Sequence, residues 1–85
     1  MEQVIFLTTS GCHLCESAQD LLHDLQRQFP FTLTGVDIAS DDALIDQYGL
    51  RIPVIRYQGT ELDWPFDAHR LKAFLQITEL NLESD

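Results

Sequence analysis

The sequence predicts one α/β domain in which a four-stranded mixed sheet carries helices on both faces, in the order β-α-β-α-β-β-α. Three observations lead there. The run Val4 to Thr8 is short, β-branched and apolar on both of its faces, as suits a central strand covered from two sides. Leu14, Ala18, Leu21, Leu22, Leu25 and Phe29 then recur at helical spacing until Pro30 stops the run. Toward the end, Val54 to Tyr57 and Thr60 to Asp63 flank Gln58 and Gly59, the signature of a hairpin. A right-handed crossover makes the first two strands parallel, and the hairpin adds antiparallel strands on the other side of the first.

Thr9, Ser10 and Gly11 form a polar turn between the first strand and the longest helix. Phe31 to Ile38 returns to a strand pattern, with Phe31, Leu33, Gly35 and Asp37 on one face and Thr32, Thr34, Val36 and Ile38 on the other; mixed faces of this kind suit a sheet edge. Ser40 or Asp41 can cap a second helix of about two turns, with Ala43, Leu44 and Ile45 as its apolar positions and Gly49 at its end. Leu50 to Pro53 is a loop. Asp67 is a suitable N-cap for the last helix, Phe66 and Leu71 are spaced as a hydrophobic staple across it, and Phe74, Leu75 and Thr78 continue its apolar face. The domain is expected over residues 1–80, with 81–85 as a frayed acidic tail.

Eighty-five residues hold one small core, and three prolines and four glycines are too few for a linker or disordered tract. Five Lys and Arg against fourteen Asp and Glu give a net charge of −9, which repels a phosphate backbone and argues against nucleic acid as a partner. The longest apolar run, Val4 to Leu7, is too short to span a membrane, and an acidic chain lacks the basic face of a surface-bound helix. Two cysteines are too few for a secreted disulfide framework, and the first residues lack the pattern of a signal peptide, so a cytosolic monomer is the expectation.

Those two cysteines, Cys12 and Cys15, stand at the junction between the first strand and the first helix. Positions three apart at a helix start lie on one face of the first turn, so the two sulfurs can meet in a disulfide and open again. A thiol there also faces unpaired backbone N–H groups and the positive end of the helix dipole, which favour thiolate over thiol. Cys12 is therefore the expected nucleophile. Cys15 falls in line with Ala18, Leu22, Leu25 and Phe29 on the apolar stripe, which makes it the shielded resolving thiol. His13 and Glu16 are candidates for tuning Cys12: a charged imidazole favours its thiolate and a carboxylate one turn away opposes it.

With Cys-His-Leu-Cys at the end of its first strand, the chain resembles the glutaredoxins of the thioredoxin superfamily, and most of all the small bacterial glutaredoxin-like proteins that carry this motif in place of Cys-Pro-Tyr-Cys. The likeness runs over nearly the full length and implies the thioredoxin-like (glutaredoxin-type) fold. It also implies that Pro53, in Arg51-Ile52-Pro53-Val54, is the family's cis proline beside the active disulfide, so that the backbone N–H and C=O of Ile52 would pair with an incoming peptide or glutathione. Asp67 matches the family's acidic position at the last helix. Trp64, followed by Phe66 and Asp67, is similar to the redoxins that serve ribonucleotide reductase, and joins Ile52, Pro53 and Asp67 as a substrate-binding candidate.

Two departures bear on glutathione as co-substrate. Thr9 stands where glutaredoxins usually carry a lysine, and Asp63-Trp64-Pro65 replaces a Gly-Gly segment rich in N–H donors, with Pro65 having none to give. Both argue for a protein disulfide as substrate, with a thioredoxin reductase or the glutathione system as reductant. Arg51 is the one basic residue that the expected fold brings toward Cys12. Two other readings use the same residues. One is an iron-sulfur or metal site on Cys12, Cys15 and His13, for which His23 and His69 lie on other helices and offer no completion. The other is a thioredoxin-fold adaptor that binds partners without turnover.

Overall fold

The computed structural model describes residues 3–75. The first strand, β1 (Gln3–Thr8), lies inside a four-stranded sheet of order β2-β1-β3-β4. It pairs in parallel with β2 (Thr32–Asp37), Gln3 opposite Thr32 through Thr8 opposite Asp37, and antiparallel with β3 (Val54–Tyr57), Leu7 opposite Val54. The hairpin to β4 (Thr60–Asp63) completes the sheet. At its turn Gln58 and Gly59 take φ of 52° and 78°, the doubly left-handed form whose twist matches that of a two-residue hairpin.

Alternation along β1 divides the core into two layers, because successive side chains of a strand point to opposite faces. Val4 and Phe6 join Cys15, Ala18, Leu22 and Leu25 of α1 (His13–Gln28) with Phe66, Leu71 and Leu75 from α3 (Ala68–Phe74) and its flanks. Leu7, with Ile5 beside it, packs on the other face against Ile38, Val54 and Tyr48 of α2 (Asp42–Tyr48). The predicted layers are thus in place. Asp67 caps α3, its Oδ1 accepting the Arg70 N–H at 2.8 Å, and Phe66 and Leu71 are both buried across that cap. Thr78 and the predicted tail lie outside the described residues.

Local expectations need correcting at three places. Leu14 keeps helical register with Ala18 and Leu25 but is 51% exposed, since it falls on the first turn of α1, beyond the sheet that covers them. The second strand is shorter than expected, because the Asp37 carboxylate accepts the Ala39 N–H at 2.9 Å and turns Ile38–Ser40 into a single 3-10 turn. In α2 the anchor is Tyr48, with Leu44 half-buried, whereas Ala43 and Ile45 face solvent. Asp41 is its N-cap, accepting the Ala43 N–H. Gly49 ends it in right-handed conformation, with φ of −54°, and is needed for room: a Cβ there would lie 2.6 Å from the Ile45 carbonyl oxygen. No helix among the described residues is long and apolar enough to cross a membrane.

Candidate active site

The chain leaves β1 at Thr8 and turns into α1 through Gly11, whose φ of 78° is one that L side chains rarely adopt. Cys12 is the N-cap of α1. Its sulfur accepts the Cys15 N–H at 3.1 Å and its carbonyl accepts the Glu16 N–H at 3.1 Å. Cys12 and Cys15 form a disulfide, with Cα atoms 5.2 Å apart, inside the usual range for such a bridge. Their surroundings differ. Cys12 is half-buried and Cys15 is only 3% exposed, held in the layer of Ala18 and Leu22. An N–H directed at a sulfur on a helix N-terminus favours the thiolate once the bridge opens, and Cys12 alone combines that with access.

A cleft of about 300 Å³ opens beside the disulfide, lined by Thr8, Thr9, Ser10, Gly11, Cys12 and Cys15 together with Glu16 and Gln19. Of these, the sequence points to the two cysteines, Glu16 and Thr9. Gln19 follows Cys12, Cys15 and Glu16 at i, i+3, i+4 and i+7 on α1, a spacing that marks one helix face. His13 is exposed at the start of the same helix.

The loop before β3 reaches the same end of the sheet. Leu7 opposite Val54 sets Pro53 in line with Thr8, and the Ile52–Pro53 peptide is cis, as is that of Trp64–Pro65, which the sequence did not lead us to expect. Pro53 is buried, and Ile52, Trp64 and Cys12 all pack at the margin of the core layer that holds Cys15. The Trp64 N–H donates to the Pro53 carbonyl at 3.1 Å, and its ring meets Phe66 edge-on at 5.0 Å. Asp67 is exposed but engaged as the cap of α3. One expectation fails here. The Ile52 N–H donates to the Tyr48 carbonyl at 3.0 Å, closing the end of α2, so it is not free to pair with a substrate strand as it stands.

Arg51 is also committed elsewhere. Its guanidinium binds Asp63 through two bonds of 2.9 and 2.8 Å, reaches Glu61 at 2.6 Å and lies over the Tyr48 ring at 5.0 Å. The Tyr48 hydroxyl donates to the second Glu61 oxygen. These bonds, first that of Tyr48 and then that of Arg51, hold the Glu61 carboxyl below its ordinary range; Arg51 does the same for Asp63. The Tyr48 hydroxyl is pushed up, chiefly by its bond to Glu61 and then by burial. Arg51 therefore serves the hairpin and not Cys12, and the Asp63 charge is compensated. The signal was faint: Glu61 and Asp63, two apart on a strand, share one face and jointly require a cation. Among the described residues no group of three or more His, Cys, Asp and Glu is placed to hold a metal ion.

The model of the glutaredoxin-like domain family (DUF836) matches residues 3–76. The chain belongs to that glutaredoxin-like family. The crystal structure of a structural-genomics protein from X. campestris is 41% identical, with a TM-score of 0.78 over 88% of this chain and 97% of that one. A Nitrosomonas europaea protein solved by NMR is 28% identical, with a TM-score of 0.74 over 87% and 91%. Thioredoxin 1 of Thermosipho africanus shares the fold at 9% identity, with a TM-score of 0.67 over 98% and 99%. No curated protein matches. A glutaredoxin-like chain with a thioredoxin-type fold and a Cys12–Cys15 disulfide at the head of α1 is equipped for thiol redox chemistry.

Proposed function

We propose that this glutaredoxin-like protein is a thiol-disulfide oxidoreductase acting on protein disulfides, with Cys12 as nucleophile and Cys15 as resolving thiol. The observation that carries the reading is the asymmetry of the pair: an accessible sulfur receiving an N–H at the N-cap of α1, joined to a buried one. In the reduced protein the Cys12 thiolate attacks one sulfur of the substrate disulfide; a mixed disulfide forms and the other substrate sulfur leaves as a thiolate that takes up a proton. Cys15, losing its proton, attacks the Cys12 sulfur, closes the intramolecular bridge and releases the second substrate thiol. The substrate gains two electrons and two protons. A thioredoxin reductase or two glutathione molecules return them to the protein. Pro53, Trp64 and Asp67 are assigned to the substrate side of the site, Ile52 joins them by position and not through its N–H, which Tyr48 holds, and a monomer in a reducing cytosol is the setting.

Turnover of a model protein disulfide, with a chemical dithiol as terminal reductant, tests this. Wild type is expected to turn over, Cys12→Ser to be inactive, and Cys15→Ser to accumulate the mixed disulfide on Cys12. Undiminished turnover by Cys12→Ser would overturn the assignment and favour an adaptor whose cysteines are incidental.

A further inference from the structure

We propose that Glu16 selects substrates whose target cysteine is flanked by a lysine or arginine, by receiving that cationic side chain in the cleft beside the disulfide. The inference rests on the oxidoreductase reading and names its substrate class. Cys12 and Glu16 line the same cleft, so a polypeptide bonded through sulfur to Cys12 brings its neighbouring side chains past the Glu16 carboxylate. That carboxylate is exposed and has no ion-pair or hydrogen-bond partner among the described residues. The five Lys and Arg are elsewhere: Arg27 binds Asp24, Arg51 and Arg56 face Glu61, Lys72 lies over the Phe29 ring, Arg70 is on α3, and none of these lines the cleft.

The cleft's hydrogen-bonding capacity has the same bias. Of the orphan N–H groups at the start of α1 that would greet an anion, that of Cys15 is already taken by the Cys12 sulfur. Among the side chains lining the cleft, Glu16 carries the one formal charge, and the Gln19 amide and the hydroxyls of Thr8, Thr9 and Ser10 add oxygen acceptors for an ammonium or guanidinium. Its volume, about 300 Å³, is at the small end of ligand sites, suited to a side chain beside the reacting sulfurs. The net charge of −9 draws the same class of substrate from a distance.

The test uses two synthetic peptide disulfides, identical except for Lys or Glu on each side of the cysteine, reduced by wild type, Glu16→Gln and Glu16→Lys at low ionic strength. The readout is the ratio of kcat/KM for the two peptides, because any change in Cys12 reactivity caused by the substitutions affects both peptides and cancels in it. Wild type is expected to favour the Lys peptide. Glu16→Gln should lower that ratio by about fivefold, the upper range for a solvent-exposed ion pair, and Glu16→Lys should lower it further. An equal rate on both peptides, or a ratio unchanged in the two variants, overturns the selection by Glu16 while leaving the oxidoreductase reading intact. Failure of wild type to reduce either peptide overturns both.

Discussion

At the scale of single residues, the site is an asymmetry between two sulfurs three positions apart. Cys12 has partial access and an N–H from Cys15; Cys15 has the apolar layer of Ala18, Leu22 and Leu25 around it. In the reduced protein this should appear as a difference in alkylation near neutral pH: iodoacetamide is expected to label Cys12 well before Cys15, since thiolate character and access coincide only there. Mass mapping of a partially labelled sample reads it out. Preferential labelling of Cys15 would reverse the two roles. The difference in burial between the two cysteines was legible in the sequence, because spacing along one helix determines which residues share its face. Ile52 was not so legible: its N–H is consumed by Tyr48, a carbonyl four residues earlier, and only the actual path of the chain out of α2 reveals that bond.

At the scale of elements, periodic burial and local caps could be read from the sequence, while contacts between elements could not. The Asp67 cap, the Phe66–Leu71 staple and the Gln58–Gly59 turn each depend on neighbours within a few positions and stand as expected. Leu14 shows the limit, since helical register cannot tell where the covering sheet stops. Truncating Leu22, fully buried in α1, should cost about 2–5 kcal/mol as Leu22→Ala, whereas Leu14→Ala should change stability by less than about 0.5 kcal/mol; denaturant unfolding compares them. The Arg51 cluster joins the end of α2 to β4 across ten and twelve residues, and local pattern announces only its acidic half, Glu61 and Asp63 on one strand face. Glu61 and Asp63 have lower pKa values folded than unfolded, so the stability they contribute is present above the ordinary carboxylate range and is lost as pH falls through their lowered folded values. Arg51→Gln should therefore unfold at lower urea than wild type near neutrality, with the gap closing as the pH drops below about 4. A gap that persists unchanged into strong acid would show that Arg51 acts by packing on Tyr48 alone.

At the scale of the whole molecule, charge is expected to discriminate between disulfide partners that the fold alone would accept. Glutathione is anionic overall and carries two carboxylates, and Thr9 and Pro65 stand where the resemblance to glutaredoxins implies a lysine and a backbone N–H. Arg51 cannot substitute, being held by Glu61 and Asp63. That same pairing offsets the Asp63 charge, so local repulsion at the Trp64 turn is small, and the deficit is one of missing donors together with the overall charge of −9. Each absent charge-assisted contact is worth about 1.5–3 kcal/mol, so the loss of two is expected to weaken glutathione binding by about a hundredfold or more. The overall field adds a signature that missing contacts do not: repulsion between like charges is screened by salt, over a Debye length of about 10 Å at 0.1 M. Glutathione-dependent reduction of a mixed disulfide on Cys12 is accordingly expected to be slow at low ionic strength and to accelerate as neutral salt is added. A rate typical of glutaredoxins, falling with salt, would require a cationic anchor for glutathione that residues 3–75 do not place beside Cys12, and would return glutathione to the position of natural reductant.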